Sequence, residues 1–160
     1  MRVEEVLEHC EVALGLLEDE RDTLKWNVHW VGAIALIRMV GHALLQEKER
    51  FGEKLPRAWA DWNSENSEHR VFREFIKLER DTLLKEAQSS IHPSGIIPLI
   101  TQDLFIRFTK DETGNIDQLE ILEENIFRPR LDGFMAGEDA RGIYRQALNW
   151  WRAQLSKLET

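Results

Sequence analysis

Between Trp26 and Glu49 the chain reads WNVHWVGAIALIRMVGHALLQEKE, and no other stretch constrains the fold as strongly. Trp26, Trp30, Ile34, Ile37, Val40 and Leu44 recur at the spacing of one helix face, while Val31, Ala35, Leu36 and Met39 cover the other sides. A helix that is apolar all round belongs inside something, so the segment predicts a buried central helix on which the others pack. The run Val28 to Val40 is broken by His29 and Arg38 and is too short for a bilayer, which takes about 20 apolar residues. No membrane partner is expected.

The flanking segments complete a helical protein. Val3, Val6, Leu7, Cys10, Leu14 and Leu17 predict an amphipathic helix over 2–18. Pro56 suits the first turn of a short helix that carries Trp59 and Trp62, and Ser67 can cap a fourth helix over 68–88. A last helix over 138–158 places Ile143, Tyr144, Ala147, Trp151, Leu155 and Leu158 on one face. Between them, SSIHPSGIIPLI excludes a regular element through its prolines and glycine. In DLFIRFTKDETGNIDQLEIL, the alternation of Leu104, Ile106 and Phe108 with DETGN as a turn favours a β-hairpin, the segment 116–125 being open to a short helix instead. The expectation is a mainly α, single-domain bundle over 1–160, with an irregular or β-like insertion over 89–136 before the C-terminal helix.

With 160 residues the chain is long enough to bury a core without staples. Its formal charge of −8 repels nucleic-acid phosphate overall, so any such role needs a local basic patch. Arg70, Arg73, Lys77 and Arg80 form one candidate row, and Arg128-Pro-Arg130 another. Cys10 has no partner for a bridge and reads as packing in a reducing compartment. The first residues, MRVEEVLEHC, lack the basic and apolar regions of a signal peptide, so the expected location is cytoplasmic.

On a wheel of about 100° per residue, Phe72, Phe75, Ile76 and Leu83 define an apolar face with Glu79 near its centre. A buried carboxylate needs a partner, and Arg38 of the central helix, with His42 one turn later, needs an anion. An Arg38–Glu79 pair is therefore expected, its first role being to fix helix register. Asp81 and Lys85, four apart with the acid first, suit a helix-surface ion pair. Arg80 and Lys85 lie about 140° apart on a straight helix, so they cannot grip one small ligand together.

ALIRMVGHALLQEKE, VFREFIKLERDTLLKEA and DGFMAGEDARGIYRQALNWW, in that order, resemble bacterial helical proteins of the HEPN (higher eukaryote and prokaryote nucleotide-binding) superfamily. Many members of that superfamily are metal-independent ribonucleases of toxin and defence systems. They use an Arg, often followed by a polar residue, with a His a turn or so later. The resemblance makes Arg80 the motif Arg, Asp81 its polar neighbour, and Lys85 the occupant of the His position. It also implies a homodimer, since the family assembles its site from two motif helices. An unperturbed Lys titrates near about 10.4 rather than about 6.5, so this motif is degenerate for proton transfer near neutral pH. The resemblance thus implies a binding or regulatory protein acting on RNA, a nucleotide or a partner protein. Arg73, Lys77, Arg38 and His42 are the candidate ligand-binding residues. A ribonuclease using Arg80 with another proton-transfer group, and a purely structural interaction module, stand as the alternatives.

Other chemistry is not signalled. There is no Gly-rich phosphate loop, CxxC or HExxH, and no cofactor is expected. Glu5/His9 and Glu65/His69 have i,i+4 spacing, but a di-iron bundle wants Glu-x-x-His, so no metal is expected. His92 reads as a loop residue, and Trp150-Trp151 as core packing rather than a base-stacking platform.

Overall fold

Helix α1, Val3–Asp19, buries Val3, Val6, Leu7, Cys10, Ala13 and Leu17 as a single stripe, and Glu4 and Glu5 complement the positive end of its dipole. Helix α2, Thr23–Gln46, starts where the Asp22 side chain accepts the Lys25 N–H at 2.9 Å. Two bonds lock the pair antiparallel. The Trp26 indole N–H donates to the Leu17 carbonyl at 3.1 Å, and at the other end the Val3 N–H donates to Glu47 Oε1 at 2.7 Å.

The computed structural model describes residues 1–86, 89–91, 106–110, 116–121 and 128–160. Its contacts divide the chain into two compact units, Met1–Pro93 with Arg128–Thr160, and Ser94–Phe127. The first unit is helical. After α2 come the short α3, Lys48–Phe51, and α4, Lys54–Trp62, joined through Gly52, whose φ of 53° is one that a side chain would resist. Pro56 does lie in the first turn of α4. Helix α6, Ala140–Glu159, begins at Asp139, whose carboxylate accepts the Arg141 N–H at 2.9 Å.

The fourth helix departs from expectation. Rather than one α-helix over 68–88, it is a 3-10 turn at Ser67–His69, a π-helix at Val71–Lys77 and then α5, Leu78–Glu86. Its cap is Asn66, which accepts the Glu68 N–H at 3.1 Å, and not Ser67. A π-helix has a wider turn than an α-helix, so the phase of the wheel slips across this segment.

The central helix is also only half enclosed. Its inner face, with Trp26, Trp30, Ile34, Ile37, Val40 and Leu44, is buried. Val31, Ala35 and Met39, expected inside, are exposed together with Leu24 and Val28. By length and composition α2 could cross a membrane, yet this inner face belongs to the protein core.

The core is aromatic where α4, the π segment and α6 meet. Trp62 and Phe72 sit against Trp150 and Trp151, with the Phe72 and Trp150 rings stacked at 5.2 Å. The Trp151 indole N–H donates to the Ile37 carbonyl at 2.9 Å, tying α6 to α2. Both tryptophans are core residues, as their sequence context suggests. Cys10 is fully buried beside Tyr144, and burial pushes its thiol up to about 11, so it packs and does not react near neutral pH.

In the second unit, β1, Ile106–Lys110, pairs antiparallel with β2, Ile116–Ile121, setting Ile106 opposite Ile121 and Phe108 opposite Leu119. The DETGN turn, His92 and most of SSIHPSGIIPLI lie outside the described residues.

Candidate functional site

Two expected site residues on α5 and one on α2 come together. The Arg80 guanidinium donates to Asp81 Oδ1 at 2.7 Å, with both side chains roughly two-fifths exposed. Arg38 reaches the same place from α2. Burial first, then the repulsion of Arg80, lower its pKa, against the pull of Asp81. Its Nη1 is buried with no hydrogen-bond partner. Arg38, Arg80 and Asp81 therefore carry a net positive charge and one unsatisfied donor, a pattern that favours an anion.

The remaining candidates are placed differently. His42 is exposed one turn beyond Arg38. Lys85 belongs to α5, but its side chain lies outside what the structure describes. Arg73 donates to the Asn66 carbonyl at 3.0 Å, and Lys77 to Asn63 Oδ1 at 2.8 Å while lying over the Phe72 ring. These two fasten the corner after α4 rather than joining Arg80. Arg70, in the same row, is held by both oxygens of Glu74.

The expected Arg38–Glu79 pair does not form. Glu79 is buried, at 1% exposure, but its oxygens accept from the Trp30 indole N–H at 3.3 Å, the Ser90 N–H at 3.4 Å and the Ser90 hydroxyl. Arg130, not Arg38, supplies the nearby positive charge. The wheel identified the buried face correctly and said nothing of which neighbour would meet it. Arg128 and Arg130 are likewise not a surface patch. They are 1% and 3% exposed, over the rings of Trp26 and Phe75 at 4.5 and 5.5 Å.

One further constellation had no signal in sequence. Buried His69 approaches Asp61 Oδ2 through Nε2 at 2.9 Å, and its Nδ1 accepts the Trp150 indole N–H at 3.3 Å. Because an indole can only donate, Nδ1 must be the acceptor and Nε2 carries the proton. With both ring nitrogens committed, His69 orders the junction of α4 and α6 and has no lone pair free for a substrate. Glu65, its expected i,i+4 companion, is exposed. Among the described residues no three His, Cys, Asp or Glu side chains converge. No protein-family model, curated protein or solved structure matches the chain.

Proposed function

We propose that the protein is a HEPN-like binding or regulatory component of bacterial nucleotide or RNA metabolism or defence, cytoplasmic and homodimeric, with little or no catalysis of its own. The supporting observation is the Arg38–Arg80–Asp81 cluster, where a buried guanidinium nitrogen waits for an acceptor. A phosphate oxygen is such an acceptor, and guanidinium groups match its geometry. Catalysis would further need a group that exchanges protons near pH 7, and a Lys at position 85 is a poor one unless its pKa is strongly depressed.

The uncovered face of α2 supports self-association. Leu24, Val28, Val31, Ala35 and Met39 follow one another at intervals of four, three, four and four residues, a seam about 23 Å long within the 24 residues of α2. Such a seam supplies about half of the roughly 800 Å² that one partner gives to a standard interface. Leu78, two residues before Arg80 on α5, is a further exposed apolar side chain, at 52%. A second copy meets an apolar seam with an identical apolar seam, and the two copies' Arg38 side chains then lie at one assembly.

The ribonuclease reading has His42 in its favour, exposed one turn from Arg38 on the same helix. RNA incubated without metal decides between the readings. The proposal expects background cleavage by the wild type, and RNA binding weakened in Arg38→Met and Arg80→Ala. Robust wild-type cleavage lost in Arg80→Ala would make the protein an enzyme, and binding unaffected by either substitution would remove the cluster from the account. Sedimentation tests the assembly: Val28→Glu should yield monomer, and a wild type that is monomeric at every concentration would overturn the dimer.

A further inference from the structure

A second cationic site lies between α4 and the last turns of α6, independent of the Arg38–Arg80 cluster. There a groove of about 260 Å³ is lined by Lys54, Arg57, Asp61, Trp62, Gln154 and Lys157 among others. Three of these are cations in a chain whose net charge is −8, and only one is an acid. Arg57 makes no ion pair or hydrogen bond. Lys54 makes a single long bond, 3.4 Å, to the Leu158 carbonyl. Lys157 approaches only the exposed Glu68, at 3.9 Å. The one carboxylate, Asp61, is already engaged by the His69 imidazole.

Gln154 gives the groove a fixed donor. Its Oε1 accepts the Trp62 indole N–H at 2.9 Å, and because an indole cannot accept, this bond settles which end of the amide faces inward. The NH2 end must then point the other way. It has no hydrogen-bond partner and is not sealed from solvent, although the residue as a whole is only 6% exposed and lines the groove. A nine-tenths-buried amide is thus held with its donor free, at a surface where three cations stand with little to neutralise them.

We propose that this groove binds the phosphate of a small phosphate monoester. Three positive charges against one negative match a dianion, and Arg57, Lys157, Lys54 and the Gln154 amide supply donors to several oxygens of one group. A neighbouring cavity of about 320 Å³ shares Lys54 and Leu158 with it, is otherwise lined by Phe51 and the Arg50–Glu159 ion pair, and offers room for the esterified part.

Proton–nitrogen NMR of the full chain, titrated with inorganic phosphate and with methyl phosphate, tests this through the Trp62 indole and Gln154 amide signals. Both compounds should shift these signals saturably. Arg57→Gln and Lys157→Gln, at exposed positions, should each weaken binding roughly tenfold. Arg80→Ala should leave it unchanged, which separates this site from the cluster on α2 and α5. Shifts that sodium chloride reproduces at matched ionic strength, equal shifts from acetate, indifference to Arg57→Gln, or loss in Arg80→Ala would each overturn the assignment.

Discussion

Glu79 and Arg38 face each other across the helix pair α2–α5 in sequence expectation, and the structure treats them in opposite ways. Glu79 is taken fully inside and given three donors, from Trp30 and Ser90, with the Arg130 charge near. Arg38 is left half-buried beside another arginine, with one nitrogen unsatisfied. A buried charge that is fully hydrogen-bonded holds a fold in one register, whereas one left short of partners is a cost the fold carries. The first pattern belongs to structure, and the second is the one on which the proposed anion site rests.

The comparison breaks most easily at Glu79. Glu79→Ala strands the Trp30 and Ser90 donors and the Arg130 charge, and should cost about 3–5 kcal/mol in urea unfolding. A loss below about 1 kcal/mol would mean that this carboxylate is not structural.

Asp139 is the second satisfied acid, and its effect should be smaller. Burial alone would raise its pKa, but hydrogen bonds from the Arg141 side chain and the Arg128 N–H outweigh that and hold it below the ordinary 3.8. A carboxylate with a depressed folded pKa stabilises above its unfolded pKa, and the contribution is lost as pH falls through the folded value. Asp139→Ala should therefore cost about 1–2 kcal/mol at pH 7, with the gap from wild type narrowing as the pH falls below the ordinary carboxylate range. A gap constant across that range would remove the charge from the explanation.

Arg38→Met should change stability by less than about 1 kcal/mol, because the apolar stem is kept and an incompletely paired charge is removed. Anion binding should fall with it. A loss of 3 kcal/mol or so would show that Arg38 belongs with Glu79 after all. The smallest effect is expected from Gly41→Ala. The added methyl would lie 3.3 Å from both Arg38 Nη1 and the Trp59 ring, so the gain in helix propensity, about 1 kcal/mol, is offset by crowding. The net change in melting should be near zero, with the Arg38 site perturbed.

Periodicity made the helical architecture readable, because α1, α2 and α6 each bury a stripe that recurs at helical spacing. It also placed Glu79 inside. Three things escaped it. The π segment leaves no periodic mark, since Phe72, Phe75 and Ile76 suit an α-helix equally well. Tryptophan counts as apolar bulk in such a reading, so Trp30 as the donor to Glu79 and Trp150 as the donor to His69 were invisible. The exposure of Val31, Ala35 and Met39 could not be foreseen because an all-apolar helix does not announce whether its cover comes from its own chain.

The π-helix at Val71–Lys77 has a consequence for how this chain can change over time. Glu79 and Arg80 are adjacent residues of opposite charge, one inside and the other at the rim. A π turn is an α turn with a residue spliced in, so a deletion there can be absorbed by restoring the α turn, whereas a deletion that kept the π turn would rotate everything after it by about 100°. Arg80 would then inherit the place lined by the Trp30 and Ser90 donors, a cation facing donors. The π turn is thereby a buffer, able to give up one residue while Glu79 stays inside and Arg80 at the rim.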